Sequence, residues 1–547
     1  MRHGGQVLVD HLRARGVERV FSVPGESFLA VLDGLVGSGI ANIVCRHEGG
    51  AAMMAEATGK LTGRPGIALV TRGPGVTNAA AGVHVAKQDS TPMILFVGQI
   101  ERRHRDREAF QEIDLRAVFG TVAKWAAEVE TPERLPEYLA RAFTVALSGR
   151  PGPVVIGLPE DVLSARIDAV DVPPARIAAA EPSRGQVADV AAALAVAERP
   201  LVVAGGPHWS QDAADDLARF AAAWDLPVAV SFRRQDRIDN LHPNYAGDLA
   251  VGMNPTLGAR LQAADVVLAL GTRLGDIATG GYELADPARQ PFRLIHVHAD
   301  AGELGRVFRP DPGVAAPAPA MVAALAALPR PNARPWTDWT RAARAAYEAW
   351  QHPVATPGAV RLETVICHLA ATLPPAAILT NGAGNYAAFL HRYYRFRQYG
   401  TQLAPTSGSM GYGFPAAIAA CLERPGTPVV CLAGDGCFQM TLNELSTAVQ
   451  HGAAPVVIVA NNGRYGTIRM HQERHYPGRV SGTDLANPDF AALARAYGGH
   501  GETVARDEDF PAALARAQAA GRVAVIDLKL DPEMLTTSQT LSQVRGS

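Results

Sequence analysis

The sequence predicts an α/β protein of three doubly wound parallel-sheet domains, and three observations carry that prediction. Short β-branched runs alternate with amphipathic or Ala-rich stretches of helix length, glycine often follows a run, and two Pro-rich stretches divide the 547 residues into pieces of domain size. Clear runs lie at 67–71, 93–97, 154–158, 201–204, 266–270, 294–298, 429–432, 455–460 and 523–528. Apolar runs of about 4–8 residues between helical segments suit parallel sheets covered on both faces. That alternation is α/β architecture. The 53 glycines then serve βα turns and close backbone approach.

The Pro-rich stretches at 165–185 and roughly 328–358 have weak periodicity and read as linkers, although 339–350 within the second has the pattern of a short helix. Cutting there leaves pieces of about 165, 145 and 190 residues, with domains expected at 1–165, 185–330 and 355–535.

Composition narrows the function. The 51 basic and 53 acidic side chains leave a formal charge of −2, which gives no electrostatic footprint for nucleic acid or an acidic membrane. An apolar fraction of 48% with 19% charged residues is a globular balance and argues against disorder. Cys45, Cys367, Cys421, Cys431 and Cys437 are odd in number and unpatterned, as expected in a reducing compartment. The first residues have charges spread through them and no uninterrupted apolar core of signal-peptide length. The best candidate span, 314–328, is shorter than the ~20 residues a membrane needs and contains Pro317 and Pro319. The expectation is a cytoplasmic protein without a membrane partner.

Two polar motifs in the third piece carry chemistry. The run 429–432 leads into Gly434-Asp435-Gly436, with a helix expected from about Thr441; after 24 residues, 437 to 460, comes Asn461-Asn462-Gly463. Both motifs sit at the carboxyl ends of expected strands, where open parallel sheets bind ligands. Asp435 offers a hard anionic oxygen and Asn462 an amide oxygen. Magnesium takes about six such oxygens, several from phosphate and water, and helix N-termini can receive the remaining phosphate charge.

A GDG followed by about two dozen residues and NN resembles the signature of thiamine diphosphate enzymes. The resemblance extends along nearly the whole chain and is to the acetolactate synthase-like (large catalytic subunit) branch, through VFSVPGESFLAVLDGL (20–35), RHEGGAAMMAEATGKLTGRPGIALVTRGPGVTN (46–78), REAFQEID (107–114), SGRPGPVVIGLPEDV (148–162) and TSGSMGYGFPAAIAA (406–420). It implies a pyrimidine-binding first domain, a Rossmann-like middle domain and a third domain binding diphosphate and Mg²⁺. It implies a carboligase or lyase that decarboxylates a 2-oxo acid such as pyruvate and carboligates the resulting enamine. The alternatives are a 2-oxo acid decarboxylase, a 2-hydroxyacyl or hydroxyketone lyase and, last, a non-catalytic regulatory homologue. Against the last stands the presence of Glu48, Asp435 and Asn462. A plain NAD(P) oxidoreductase lacks its fingerprint glycines.

By the same resemblance Glu48 pairs with N1′ of the aminopyrimidine. A carboxylate there favours the imino tautomer, whose 4′-nitrogen can remove the otherwise weakly acidic thiazolium C2 proton. Met410 matches the residue that wedges the cofactor into a bent shape, with Gly408 beside it on the aminopyrimidine. Gly384, Asn385 and Tyr386 fall in the diphosphate block, where synthases have Gly-Gln-His, and Gly434, Gly436 and Gly466 complete the cofactor contacts. Asp435, Asn462 and the Arg464 carbonyl are the implied metal ligands. Phe110 and Gln111 match the pair lining the reaction side, Gln111 placed to hydrogen-bond a developing oxyanion.

Departures cluster at the substrate. Glu26 replaces a synthase glycine where pyruvate decarboxylases have an aspartate; there it can protonate an intermediate or repel anionic acceptors. Ile468 and His471 stand where synthases have Val and Trp, and Glu160 replaces a lysine. The paired histidines of decarboxylases are missing from 104–114. FAD stays open, with the reading against it: Gly205-Gly206 is a weak signal, no complete G-x-G-x-x-G is present, and the block from Gly271 to Asp276 keeps the arginine of the synthase flavin segment but loses much of the rest. The resemblance also implies a homodimer or homotetramer, with Glu48 of one chain meeting the cofactor held by Asp435 of another. The tail after Leu530 offers little for a substrate lid.

Overall fold

The structure is a computed structural model and describes residues 1–546. Three six-stranded sheets organise it, with every pairing inside them parallel. The first contains, in chain order, Arg19–Ser22, Ala41–Val44, Gly66–Thr71, Met93–Gln99, Trp125–Glu128 and Pro153–Pro159, laid out in space as 2-1-3-4-6-5. The third repeats that order with Ile378–Asn381, Gln402–Leu403, Val429–Gly434, Val456–Asn461, His500–Val504 and Ala524–Lys529. The middle sheet, Pro200–Ala204, Val228–Ser231, Tyr245–Leu249, Val266–Leu270, Arg293–His298 and Pro310–Ala315, runs 3-2-1-4-5-6, the Rossmann order.

Alternate residues of a central strand feed two cores, because side chains point to opposite faces with period two. Ile67 and Leu69 join one core while Ala68 and Val70 join another. The second of these cores is shared: it also contains Cys431 and Ala433 of the third sheet. Between the two sheets, helix Glu48–Thr62 packs on helix Gly413–Glu423, whose Ala416, Ala417, Ala419 and Ala420 are fully buried. Small side chains let the two backbones approach closely and fuse the first and third units into one body.

Two local expectations change. The helical segment expected from about Thr441 is present as Leu442–Glu444 and Leu445–Gln450, but a further short helix, Asp435–Gln439, precedes it; the strand end Gly434 is extended and leads directly into this short helix. The stretch at 328–358 is not simply a linker either. Helix Thr337–Trp350 packs on the middle sheet, and Trp336 and Tyr347 belong to its core.

All three units meet at Asp89, the last residue of helix Pro74–Asp89. Its buried carboxylate accepts hydrogen bonds from Lys60 Nζ at 2.6 Å and the Thr406 N–H at 2.8 Å, as well as from the Thr406 hydroxyl, with the Arg234 guanidinium at 3.5 Å. Burial alone would push this carboxyl up; Lys60 and Arg234 outweigh it and hold the group below its ordinary value. The junction therefore stabilises the fold at neutral pH and weakens as pH falls through the carboxylate range. Asp89→Asn leaves the buried Arg234 guanidinium without an ion pair and Lys60 with Glu56 alone, at 3.1 Å, and is expected to cost about 3–5 kcal/mol, measurable as a lower denaturation midpoint.

Candidate active site

The predicted site residues assemble into two groups, at matching places on the first and third sheets. In both sheets the strand order reverses between the first and third strands, and ligand crevices in open parallel sheets form outside that switch point.

On the third sheet the loops after Ile378–Asn381, Val429–Gly434 and Val456–Asn461 surround a cavity of about 250 Å³. Gly384, Asn385, Tyr386, Gly408, Met410, Gly434, Asp435, Gly436, Asn462, Arg464, Gly466 and Ile468, all singled out above, line it. Helices Tyr386–Tyr393 and Gly466–His475 both begin at this cavity, so two N-terminal dipole ends converge on it. They are tied together: the Asn385 N–H donates to Thr467 Oγ1 at 3.0 Å, and that hydroxyl donates to Asn385 Oδ1 at 2.9 Å. At Gly434 a Cβ would lie 2.9 Å from the Tyr386 ring, so only glycine lets the strand end pass beneath it.

Asp435 is held firmly. Its Oδ2 accepts from the Gly463 N–H at 2.8 Å and from Asn487 Nδ2 at 2.7 Å; its Oδ1 accepts from the Gly436 N–H at 2.8 Å. Burial pushes the carboxyl up, and these donors draw it back without restoring the ordinary value. Asn487 also donates to Asn461 Oδ1 at 2.8 Å, and Asn461 donates to Asp527 at 2.9 Å. Sequence reading missed Asn487: it lies 52 residues from Asp435 in a segment with no motif of its own.

The backbone around Arg464 is equally set. The Tyr465 N–H donates to Thr483 O and the Leu485 N–H to Gly463 O, both at 2.8 Å, in an antiparallel bridge of Arg464 with Asp484. Alternation along such a bridge points the carbonyl of Arg464 itself away from that segment, the side on which its N–H meets Asn462 Oδ1 at 3.3 Å.

The second group rings the turn from Thr71 to Gly75 on the first sheet. The Arg72 guanidinium reaches Glu160 at 2.5 Å and Glu26 at 4.0 Å, and its Nε donates to Phe110 O at 3.2 Å. Gln111, with a left-handed φ of 65°, packs on Gly73. Glu48 accepts from Asn78 Nδ2 at 2.9 Å and lies against Gly75. Glu48 opens helix Glu48–Thr62, and a residue that sequence reading missed fixes that opening: Glu444 of the third unit accepts the N–H groups of Arg46 and His47 at 3.2 and 3.0 Å.

Two residues depart from expectation. The Tyr386 ring lines the cavity, but its hydroxyl donates inward to Cys437 Sγ at 3.3 Å. His471 lies outside the lining: it is exposed on helix Gly466–His475, stacked on His475. Within one chain, Glu26, Glu48, Phe110 and Gln111 are likewise absent from the cavity wall among the described residues. Nor do those residues contain a cluster of three His, Cys, Asp or Glu placed to hold a metal, so any metal here depends on amide and carbonyl oxygens beside Asp435.

Family comparison supplies the decision. Residues 2–118 match the thiamine pyrophosphate enzyme N-terminal TPP binding domain, 187–325 its central domain and 382–528 its C-terminal TPP binding domain. The chain belongs to the thiamine pyrophosphate enzymes. It is 32% identical to an acetolactate synthase of Mycobacterium bovis over 94% of this chain and 86% of the relative. To the acetolactate synthase isozyme 2 large subunit of Escherichia coli it is 31% identical, over 94% and 92%. A probable acetolactate synthase large subunit of Methanocaldococcus jannaschii is 30% identical, over 97% and 92%. The protein is thus a thiamine diphosphate-dependent enzyme of the acetolactate synthase type, and among its described residues no helix is long and apolar enough to cross a membrane.

In this thiamine diphosphate enzyme the tail does more than its sequence suggests. Leu530, Met534 and Leu535 line the cavity, and Leu535 packs with Met470, Leu541 and Val544. Arg545 of helix Leu541–Gly546 pairs with Glu473 at 2.9 Å. Arg545, the Gly478 N–H and Arg469 hold the Glu473 carboxyl down at about 2. The latch is therefore complete above the ordinary glutamate value of about 4.3 and is lost as pH falls toward 2. Glu473→Gln is expected to speed hydrogen exchange in helix Leu541–Gly546 about fivefold at neutral pH, the scale of one partly exposed ion pair.

Proposed function

We propose that this enzyme is Mg²⁺-dependent, decarboxylates a 2-oxo acid such as pyruvate, and joins the remaining two-carbon fragment to a second carbonyl. The observation that carries this reading is the pairing of two half-sites at equivalent switch points: an Asp435–Asn462 cradle on the third sheet, and Glu48 with Gln111 on the first. The relatives named as acetolactate synthases support the same reaction class.

Asp435, Asn462 and the Arg464 carbonyl are the protein ligands of the metal. Asp435 Oδ2 is saturated by two donors while Oδ1 carries one, which leaves Oδ1 for the cation. The cation and the two helix N-termini hold the diphosphate. Thiamine diphosphate, when bound, supplies the electron sink that decarboxylation of a 2-oxo acid needs. Glu48 would hold a proton at the aminopyrimidine N1′, Met410 would pack against the cofactor from the cavity wall, and the Gln111 amide would donate toward the oxygen where charge develops. Phe110, 74% exposed, and Ile468, 55% exposed, are the apolar groups that exclude water once the half-sites meet.

The half-sites meet across a subunit boundary, in a homodimer or a homotetramer. All five cysteines are free, which supports a reducing, cytoplasmic location. FAD is not part of this reading. At the carboxyl end of the middle sheet, Gly206 packs so closely that a Cβ there would lie 1.9 Å from the Gly271 carbonyl oxygen, and the cleft beside them measures about 130 Å³. A wider groove of about 710 Å³ opens beyond Gly206 toward Lys60 and Tyr399, without a glycine fingerprint. Purified protein is expected to show no flavin absorption; a stoichiometric flavin band would refute this.

Proton NMR of the enzyme with pyruvate, thiamine diphosphate and Mg²⁺ tests the reaction itself. Loss of pyruvate with appearance of a joined hydroxyketone or acetohydroxy acid is expected; acetaldehyde alone would favour the decarboxylase. Glu48→Gln should retain cofactor and lose at least about 100-fold in turnover. Mixed with Asp435→Ala under conditions of subunit exchange, it should regain part of the activity; no recovery despite proven exchange counts against shared sites.

A further inference from the structure

Two carboxylates on the first sheet, Glu26 and Glu160, converge on one guanidinium. Arg72 is 6% exposed. Glu160 holds it at 2.5 Å and Glu26 faces it at 4.0 Å, while its Nε is committed to the Phe110 carbonyl. One buried cation thus stands among two carboxylates, and the trio carries net charge −1. Glu160 takes the closer contact, so Arg72 has little charge left to offer an incoming anion. Glu26, with its side chain 72% exposed, projects its carboxylate from the same rim that holds Phe110, Gln111 and Glu48.

We infer that the second substrate is a neutral carbonyl compound, a short aldehyde, and not a second 2-oxo acid. This rests on the carboligase reading above and names the acceptor at that same site. The charge acts differently on the two substrates. A donor's carboxylate leaves as CO₂, so its repulsion from Glu26 is relieved in the very step that must be fast. An acceptor's carboxylate stays through bond formation and into the product, so its repulsion is never relieved. Repulsion that persists raises the acidic acceptor's bound state and transition state alike above the free compound, so it lowers kcat/KM, the quantity that decides a competition, and like-charge juxtaposition is a standard device for rejecting the wrong partner. Arg464, the cation on the facing cavity wall, belongs to the Asp435–Asn462 end where the diphosphate is held.

The balance is simple. The C1–C2 bond of pyruvate breaks and releases CO₂; a bond forms between that C2 and the aldehyde carbon; the former aldehyde oxygen takes one proton from solvent. Pyruvate, acetaldehyde and H⁺ give acetoin and CO₂, with no oxidant or reductant.

The test is a competition. Enzyme loaded with thiamine diphosphate and Mg²⁺ receives pyruvate with equal concentrations of acetaldehyde and 2-oxobutyrate, and NMR reads the products. Acetoin is expected to exceed acetolactate and acetohydroxybutyrate together by at least about tenfold. Glu26→Gln and Glu160→Lys should each raise the acidic share several-fold; the ratio is internal, so a loss of total activity does not obscure it. Dominance of acidic products in the unaltered enzyme overturns this inference and leaves the carboligase reading standing, as does a ratio that neither substitution moves. Release of no CO₂ from pyruvate, or of acetaldehyde without any joined product, overturns both.

Discussion

The site depends on how rigidly three separate sheets are held to one another, and a single buried carboxylate does much of that. Asp89 comes from the first unit, Arg234 from the middle one and Thr406 from the third. A paired charge in a dry interior is intolerant of displacement, because moving either partner leaves the other unsolvated. Beside it, Arg233 of the middle unit reaches the carbonyls of Pro405 and Gly382, and Gly382 immediately precedes the loop that carries Gly384 to Tyr386. The middle unit thus sets the position of the cofactor loops although the candidate site lies on the other two.

The first and third sheets share one strand order and one core, so their carboxyl ends present two equivalent crevices. Each crevice is incomplete alone. The third holds an anchored acid, amide oxygens and two helix N-termini, a set suited to a metal and a diphosphate. The first holds exposed Glu26 and Phe110 with half-exposed Glu48 and Gln111, a set suited to proton handling and substrate choice. Splitting the work this way keeps the binding charges of the diphosphate apart from the carboxylates that must stay basic, which a single crevice would force together.

The sequence disclosed what has a local signature. All nine apolar runs are strands, and in every sheet they hold the third, fourth and fifth places. Those strands are covered on both faces, so burial demands unbroken β-branched residues. Outer strands such as Ala41–Val44 and Pro310–Ala315 bury only one residue each and blend into their surroundings. The same logic applies at the site. Asp435 and Asn462 were legible because their glycines and strand ends are local. Asn487 and Glu444 were not, since each acts through a contact made far along the chain. The tail's place at the cavity was not legible for a related reason: Leu535 lines it while packing with Leu541 against Met470 of helix Gly466–His475, and Arg545 pairs with Glu473 of the same helix.

Tyr386 serves the fold with its hydroxyl and the cavity with the face of its ring. A histidine at this place would offer a ring nitrogen to an anion; the tyrosine turns its polar atom the other way. Its hydroxyl donates to Cys437 Sγ, which also accepts the Gly411 N–H at 3.1 Å. One sulfur therefore joins the loops bearing Gly384, Gly411 and Gly436, in a place so dry that burial holds the phenol well above its usual value. The ring is left as a flat apolar wall over Gly434. Anion binding at this end would then fall to backbone N–H groups, whose positions are fixed by secondary structure and not by a rotamer. That arrangement loses one side-chain donor and gains a cradle that has little to reorganise when a diphosphate enters.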